Sequence, residues 1–268
     1  MIIIGELINS TRKKVGEAVR NQDVGYVQEL ARKQEAAGAA MLDVNGGVAG
    51  KEIECLQWLV NVVQEVSDTP LTLDSSDPAA LRAAIPLCKH RPMINSITDE
   101  PARIAAVLPL VKEYKTKVVA LCMSEAGPPS EVDDRVATAC RLVDRLTSEG
   151  VALDDIYVDA CVLPISTGPE HGKSLMEGIR QIMARYPGVH TSAGLSNISF
   201  GVPVRKLMNQ VFLMLLMAHG LDAAIADPLD RQLMANIRAA EALLGCDEFC
   251  GEYLQAFRKG LLEIAPAG

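Results

Sequence analysis

The sequence predicts an α/β protein: a (β/α)8 TIM barrel in which residues 1–268 form a single domain. Three observations carry this. The length of 268 residues is close to the ~250 typical of such barrels, and it is enough to bury a core without disulfide or metal staples. Eight short aliphatic runs alternate with eight helical patterns, with no composition shift, low-complexity stretch or linker between them. Such alternation gives parallel strands with right-handed crossovers, and eight units close into a barrel. Most of the strand-like runs also finish on a carboxylate or a carboxamide. An open doubly wound sheet normally has a Gly-rich phosphate loop after its first strand, and Gly5-Glu6-Leu7-Ile8-Asn9 is not one.

The elements follow in order. Ile2-Ile3-Ile4 reads as a strand buried on both faces, ended by Gly5-Glu6. After a polar connection, Val24 to Ala37 carries Val24, Val27, Leu30 and Ala31 at helical spacing and is stopped by Gly38 at the C′ position. Ala40 to Asn45 is the second strand, turned by Gly46-Gly47, and Glu52 to Val66 the second helix. Leu71 to Asp74 is a strand. Asp77-Pro78 then supplies an N-cap followed by proline at the first helical position, for a helix reaching Cys88. Met93-Ile94-Asn95 precedes a helix opened by Glu100-Pro101 and running to about Tyr114. Val118 to Met123 leads through Gly127-Pro128-Pro129 into a helix that Gly150 stops. Ile156 to Asp159 is the sixth strand, and Ser174 to Tyr186 its helix. Thr191 to Leu195 is the seventh strand, followed by a helix from Val204 to His219. Ala223 to Asp227 is the eighth strand and Asp230 to Leu244 its helix.

Composition narrows the function. Aromatic residues make up 4% and the formal charge is −8, with no Lys/Arg run, so neither base stacking nor phosphate binding is provided for, and no nucleic-acid partner is expected. Seven cysteines lie mostly in apolar runs without Cys-x-x-Cys spacing and read as reduced core thiols. The longest apolar run, Val211 to Ala218, falls far short of the ~20 residues of a membrane helix. The N-terminus lacks the basic flank of a signal peptide. The expected location is the cytoplasm, away from membranes.

In a barrel the loops after the strands form the open face where chemistry is done. That face would gather Glu6, Asp43, Asn45, Asp74, Asn95, Asp159, Asn197 and Asp227. No lysine stands at a strand exit, which disfavours a Schiff-base aldolase. The histidines (His90, His171, His190, His219) lie at helix ends, in a loop or at a strand start, which disfavours a His-rich centre, and no protein-bound metal is expected. An Asp carboxylate accepts two parallel hydrogen bonds and an Asn offers a donor with an acceptor, a set suited to the amidine edge of a pterin-like ring. The plain alternative is that some of these residues cap the next helix or hold a loop, a reading that fits Asp43 and Asp227 best and Asn95 and Asn197 least.

Several of these stretches together carry a resemblance: Gly5-Glu6 with Ile8-Asn9, Leu42-Asp43-Val44-Asn45, Leu73-Asp74-Ser75, Met93-Ile94-Asn95-Ser96, Tyr157-Val158-Asp159, Gly194-Leu195-Ser196-Asn197-Ile198-Ser199 with Arg205, and Gly220-Leu221-Asp222 through Asp227. In this order, over nearly the whole chain, the sequence resembles the pterin-binding corrinoid methyltransferases. That group includes the methyltetrahydrofolate:corrinoid/iron-sulfur protein methyltransferases, the folate module of cobalamin-dependent methionine synthase and tetrahydrofolate methyltransferases of methylated-amine pathways.

The resemblance implies a pterin in the barrel mouth, its pyrimidine edge held by Asp74, Asn95 and Asp159, and Asn197 hydrogen-bonding N5. Asp43, Asn45, Glu6 and Ser196 match positions lining the same mouth, and Arg205 would meet the folate tail or a partner. The implied reaction moves a methyl group between N5 of tetrahydrofolate and the cobalt of a corrinoid. The chain has no Asp-x-His-x-x-Gly motif to ligate cobalt, so the corrinoid (cobalamin) would come on a separate corrinoid protein, and the resemblance implies a homodimer. Many relatives have arginine after Gly-Glu, where this chain has Leu7. The rival readings are a dihydropteroate synthase-like pterin enzyme, a non-catalytic folate-binding barrel, and an unrelated barrel whose strand-end residues are structural.

Overall fold

A computed structural model describes residues 1–262, and the last six residues of the expected domain lie outside it. In chain order the elements are β1 (Ile2–Asn9), α1 (Lys13–Asn21), α2 (Val24–Ala36), β2 (Met41–Asn45), α3 (Glu52–Gln64), β3 (Leu71–Asp74), α4 (Pro78–Ala84), β4 (Met93–Asp99) and α5 (Pro101–Tyr114). They continue with β5 (Lys117–Ser124), α6 (Val132–Ser148), β6 (Ile156–Asp159), α7 (His171–Arg185), β7 (His190–Ser192), α8 (Arg205–Ala218), β8 (Ala223–Ala226), α9 (Arg231–Leu243) and α10 (Gly251–Arg258). The eight strands are all parallel in the order β7-β6-β5-β4-β3-β2-β1-β8. The ring is drawn together between β7 and β8 by one bridge, Gly194 with Ile225, through the Ile225 N–H to the Ala193 carbonyl at 2.9 Å. The expected TIM barrel is the fold.

Local signals place the helices where the sequence puts them. Asp77 accepts from the Ala79 N–H at 2.8 Å ahead of Pro78, and Asp230 from the Leu233 N–H at 3.2 Å. Gly38, at φ +96°, ends α2 in the left-handed conformation that glycine adopts without steric cost. Gly5 meets a different demand. A Cβ there would collide with Gln34 Oε1, which instead approaches close enough to accept the Leu7 N–H at 3.0 Å.

Inside the barrel, Ile4, Met41, Met93, Val119, Tyr157 and Ala223 pack into an apolar plug. Side chains alternate with period two along a strand. The residues two positions beyond the plug on β1, β2, β4 and β6 are therefore Glu6, Asp43, Asn95 and Asp159, one storey higher. The outer faces pack against the helices in a single large cluster that includes Leu42, Val44, Leu73, Ile94 and Val158. Leu7 is buried, and its N–H is taken by Gln34 Oε1.

Four differences from the sequence expectation have physical reasons. β1 continues to Asn9, because an irregularity after Gly5 lets Ile8 and Asn9 pair with Val44 and Asn45. The polar connection after it contains α1, whose buried side is only Val15, Gly16, Ala18 and Val19. β7 stops at Ser192, and Leu195–Asn197 turns as a short 3-10 helix. α10 follows the barrel, and next to it Cys246 and Cys250 are exposed, so not every thiol lies in the core.

Candidate functional site

Asn45, Asp74 and Asn95 face one another across β2, β3 and β4 as successive register partners. Asn45 is held from two sides: its Oδ1 accepts from Ser10 Oγ at 2.7 Å and the Gly47 N–H at 3.0 Å, and its Nδ2 donates to Asp74 Oδ2 at 2.9 Å. Asn95 Nδ2 donates to Asp43 Oδ1 at 3.3 Å. Asp43 is 2% exposed; burial, then the neighbouring Asp74 charge, pushes its carboxyl well above the usual carboxylate range. Burial also raises Asp74, against the Asn45 hydrogen bond and the Arg103 charge. With those two groups favouring ionised Asp74, Asp43 is the member that holds a proton. Asp43 thus does not cap a helix.

Arg103, on the first turn of α5, was not legible as a site residue. Its guanidinium donates to the carbonyls of Ser75 at 2.9 Å, Ser76 at 2.7 Å and Ser96 at 2.7 Å, tying the ends of β3 and β4 together beside Asp74.

Across the mouth, Asp159 is 7% exposed, and its Oδ1 accepts the Cys161 N–H at 2.9 Å. Burial raises its pKa to about 6, opposed by backbone hydrogen bonds from Cys161 and Gly194 and by the Arg135 charge. Gly194 also lies beneath Asn197: a Cβ there would stand 3.4 Å from Asn197 Nδ2. Asn197 itself is exposed, so the ends of β6 and β7 present a buried carboxylate and an open carboxamide joined through Gly194.

The third part of the rim joins β1 to the loop after β7. Glu6 pairs with Arg12 at 2.6 Å and accepts from Ser196 Oγ at 3.2 Å, and burial raises its pKa against the Arg12 charge. Arg205 does not stand free: it donates to the Ser196 carbonyl at 2.6 Å and to Ser199 Oγ at 3.0 Å, bracing the turn that carries Asn197. Asp227 accepts from the Leu229 N–H at 2.9 Å and so pins the loop after β8. Glu6, Arg12, Ser196, Arg205 and Asp227 line a cavity of about 380 Å³ at this edge. The structure thus joins Asn45 to Asp74, Asp43 to Asn95, and Glu6 to Ser196 directly. Asp159 and Asn197 sit together without bonding to each other. Among the described residues no group of three or more His, Cys, Asp or Glu converges to hold a metal ion, and no helix is long and apolar enough to cross a membrane.

The profile of the family described as "Pterin binding enzyme" matches residues 5–227. The chain belongs to this family. The matched span runs from within the first barrel strand to Asp227 and encloses every mouth residue named above. The chain is 40% identical over 267 residues, 97% of each sequence, to a methylcorrinoid:tetrahydrofolate methyltransferase from Eubacterium limosum. It is 34% identical over 239 residues to a methionine synthase from Mycobacterium leprae (strain TN), covering 84% of this chain but 20% of that much longer protein. Its backbone superposes on the crystal structure of 7,8-dihydropteroate synthase from Vibrio fischeri ES114 with a TM-score of 0.71 over 91% of this chain and 93% of the other, at 16% identity. That likeness concerns the fold alone.

Proposed function

We propose that this protein is a methyltransferase that moves a methyl group from the cobalt of a methylcorrinoid to N5 of tetrahydrofolate, with the whole chain, residues 1–268, serving as one pterin-binding barrel. The observation that carries the reading is the chemistry of the mouth. It offers carboxylates and carboxamides at fixed spacing, while its guanidinium groups are engaged: Arg103 and Arg205 on loop carbonyls and Arg12 on Glu6. Such a site suits a neutral ring with an amidine edge, and it offers little to a diphosphate leaving group. The end-to-end identity with a methylcorrinoid:tetrahydrofolate methyltransferase points the same way and supports this direction of transfer.

In this reading Asp159, Asp74 and Asn95 take the donors of the pyrimidine edge, backed by Asp43 and Asn45, and Asn197 is the catalytic residue that holds N5. Glu6 and Ser196 line the rim, and Arg205 braces the Asn197 turn instead of reaching for the folate tail. The N5 lone pair forms the new bond to the methyl carbon. The cobalt–carbon bond breaks with both electrons returning to cobalt, and the N5 proton passes to solvent water at the open mouth. Such a displacement gains chiefly from alignment, worth ~7–11 kcal/mol when nucleophile and methyl are held in line.

The corrinoid is a substrate on a separate protein that docks over the mouth. The protein works as a homodimer in the cytoplasm, with neither nucleic acid nor membrane as partner. Support for the dimer comes from α8, whose outer face exposes Leu207, Val211 and Leu215 just beyond Val204, apolar surface that a second copy would cover.

The test is an anaerobic reaction of the purified protein with tetrahydrofolate and methylcobalamin. Protein-dependent formation of 5-methyltetrahydrofolate in step with demethylated cobalamin is expected. Absence of the product both with methylcobalamin and with methylated corrinoid protein, despite correct folding, would overturn the reading.

A further inference from the structure

Arg135 lies in the first turn of α6 and is fully buried, 0% exposed. A buried guanidinium ordinarily sits against a carboxylate. Among the described residues Arg135 has no such ion pair. Its Nη1 donates to the carbonyls of Ala160 and Cys161, and its Nε donates to Ser174 Oγ at 3.0 Å. Ser174 Oγ in turn donates to the Ser130 carbonyl at 2.6 Å. One side chain therefore ties the loop after β5, the end of β6 and the start of α7 together, and it does so where the backbone is least at ease: Cys161 has φ +65°, a region that non-glycine residues avoid.

The peptide unit between Ala160 and Cys161 connects this anchor to the mouth. In a trans peptide the C=O and the N–H point in opposite directions. Arg135 takes the Ala160 carbonyl on the helix side, so the Cys161 N–H of the same unit must point inward, where it meets Asp159 Oδ1 at 2.9 Å. We propose that Arg135 is the positioning residue for pterin binding: through this one peptide unit it fixes the orientation of the Asp159 carboxyl that receives the ring donors. This rests on the function proposed above and adds a residue that does not touch the ligand.

The groups facing Asp159 are few. Cys161 follows it just past β6, Cys122 comes from β5, and Arg135 from α6, with the Glu131 charge felt at Arg135 and the Asp99 charge, itself paired with Arg141 at 2.6 Å, felt at Cys122. Burial pushes the Cys161 thiol up to about 11 and raises the Cys122 thiol well above its ordinary value, so both stay neutral near physiological pH. A carboxylate at Asp159 is the form that accepts the pterin donors. Tetrahydrofolate affinity should therefore fall as pH drops through the Asp159 value of about 6.

The experiment is anaerobic calorimetry of tetrahydrofolate binding from pH 5 to 8.5, on folded protein checked by circular dichroism. Wild type should give a titrating profile, and D159N a flat, weaker one. R135Q should move the midpoint upward by about one unit or more, which is a tenfold loss of affinity on the acid limb for each unit, while the loss at high pH stays smaller. S174A, which removes the Nε acceptor together with the Ser174 bond to the Ser130 carbonyl but leaves the guanidinium on the Ala160 carbonyl, should shift the midpoint in the same direction by less and serves if R135Q does not fold. R135Q (or S174A in its place) with an unmoved midpoint would overturn the proposal, even if affinity fell uniformly, since that pattern marks a merely structural residue. A titration persisting in D159N would also overturn it. Wild type failing to bind tetrahydrofolate at any pH would instead sink the functional reading itself.

Discussion

Replacing Asp43 by Asn should stabilise the protein, and by more as pH rises. Asp43 is 2% exposed and meets Asn95 Nδ2 at 3.3 Å, and its burial, followed by the nearby Asp74 charge, raises its pKa well above the usual range. The folded state therefore keeps a proton on Asp43 that the unfolded chain releases near pH ~3.9. Between the unfolded and folded pKa values the native state binds more protons than the unfolded one. Stability conferred by Asp43 then falls with pH at about 1.4 kcal/mol per unit and levels off above the folded value. Asparagine is nearly isosteric with protonated aspartate, can accept the same bond from Asn95, and carries no titration. The stability difference between D43N and wild type, from urea unfolding at pH 5, 6, 7 and 8, should accordingly grow in favour of the variant with a slope approaching ~1.4 kcal/mol per unit before it flattens. Refutation would be a D43N variant less stable than wild type by a constant amount at every pH. That result would mean Asp43 is ionised in the native state and its charge contributes to the fold.

Three further outcomes are expected. Asn197→Ala should slow single-turnover methyl transfer by roughly 10²-fold or more while tetrahydrofolate affinity stays within a few-fold, because its bond to N5 strengthens mainly in the transition state; unchanged rates would remove it from the chemistry. His190, stacked on Tyr157 of the barrel plug, bonds Asp222 at 2.6 Å and Asp154 at 3.2 Å, and the Asp222 hydrogen bond raises its pKa. Its stabilisation is complete below the unfolded value of ~6.5 and is lost as pH rises through the folded value, so the deficit of H190Q in thermal melts should be largest near pH 5 and shrink above neutrality; a deficit independent of pH would contradict this. Val211→Glu, on the exposed face of α8, should convert a dimer to a monomer by light scattering, and a mass unchanged from wild type would move the dimer interface elsewhere.

Much of this barrel is written in local sequence. The alternation of aliphatic runs with helices, the Asp77-Pro78 start and the glycines at 38 and 150 act over a few residues, so no tertiary knowledge is needed to read them. The mouth was legible for the same reason: with period two, a polar residue ending a buried strand has to face into the barrel top. What stayed hidden depends on contacts between distant segments. Arg103 and Arg135 look like ordinary surface positions of amphipathic helices, and only the fold reveals that their guanidiniums serve carbonyls 7 to 28 residues away. The bracing role of Arg205 stayed hidden in the same way, because its partners on the Asn197 turn depend on how the chain folds back between β7 and α8. The helix α1 escaped because two lysines open it and its buried side is small.

The central claim is that a pterin lies across the barrel mouth with its pyrimidine edge on Asp74, Asn95 and Asp159 and its N5 at Asn197. A crystal structure of the protein with tetrahydrofolate tests it most directly. The account predicts ring donors within about 2.7–3.2 Å of the Asp74 and Asp159 carboxylates, and N5 within hydrogen-bond reach of the Asn197 carboxamide. A pterin bound elsewhere, or bound in the mouth with N5 turned away from Asn197, would contradict it.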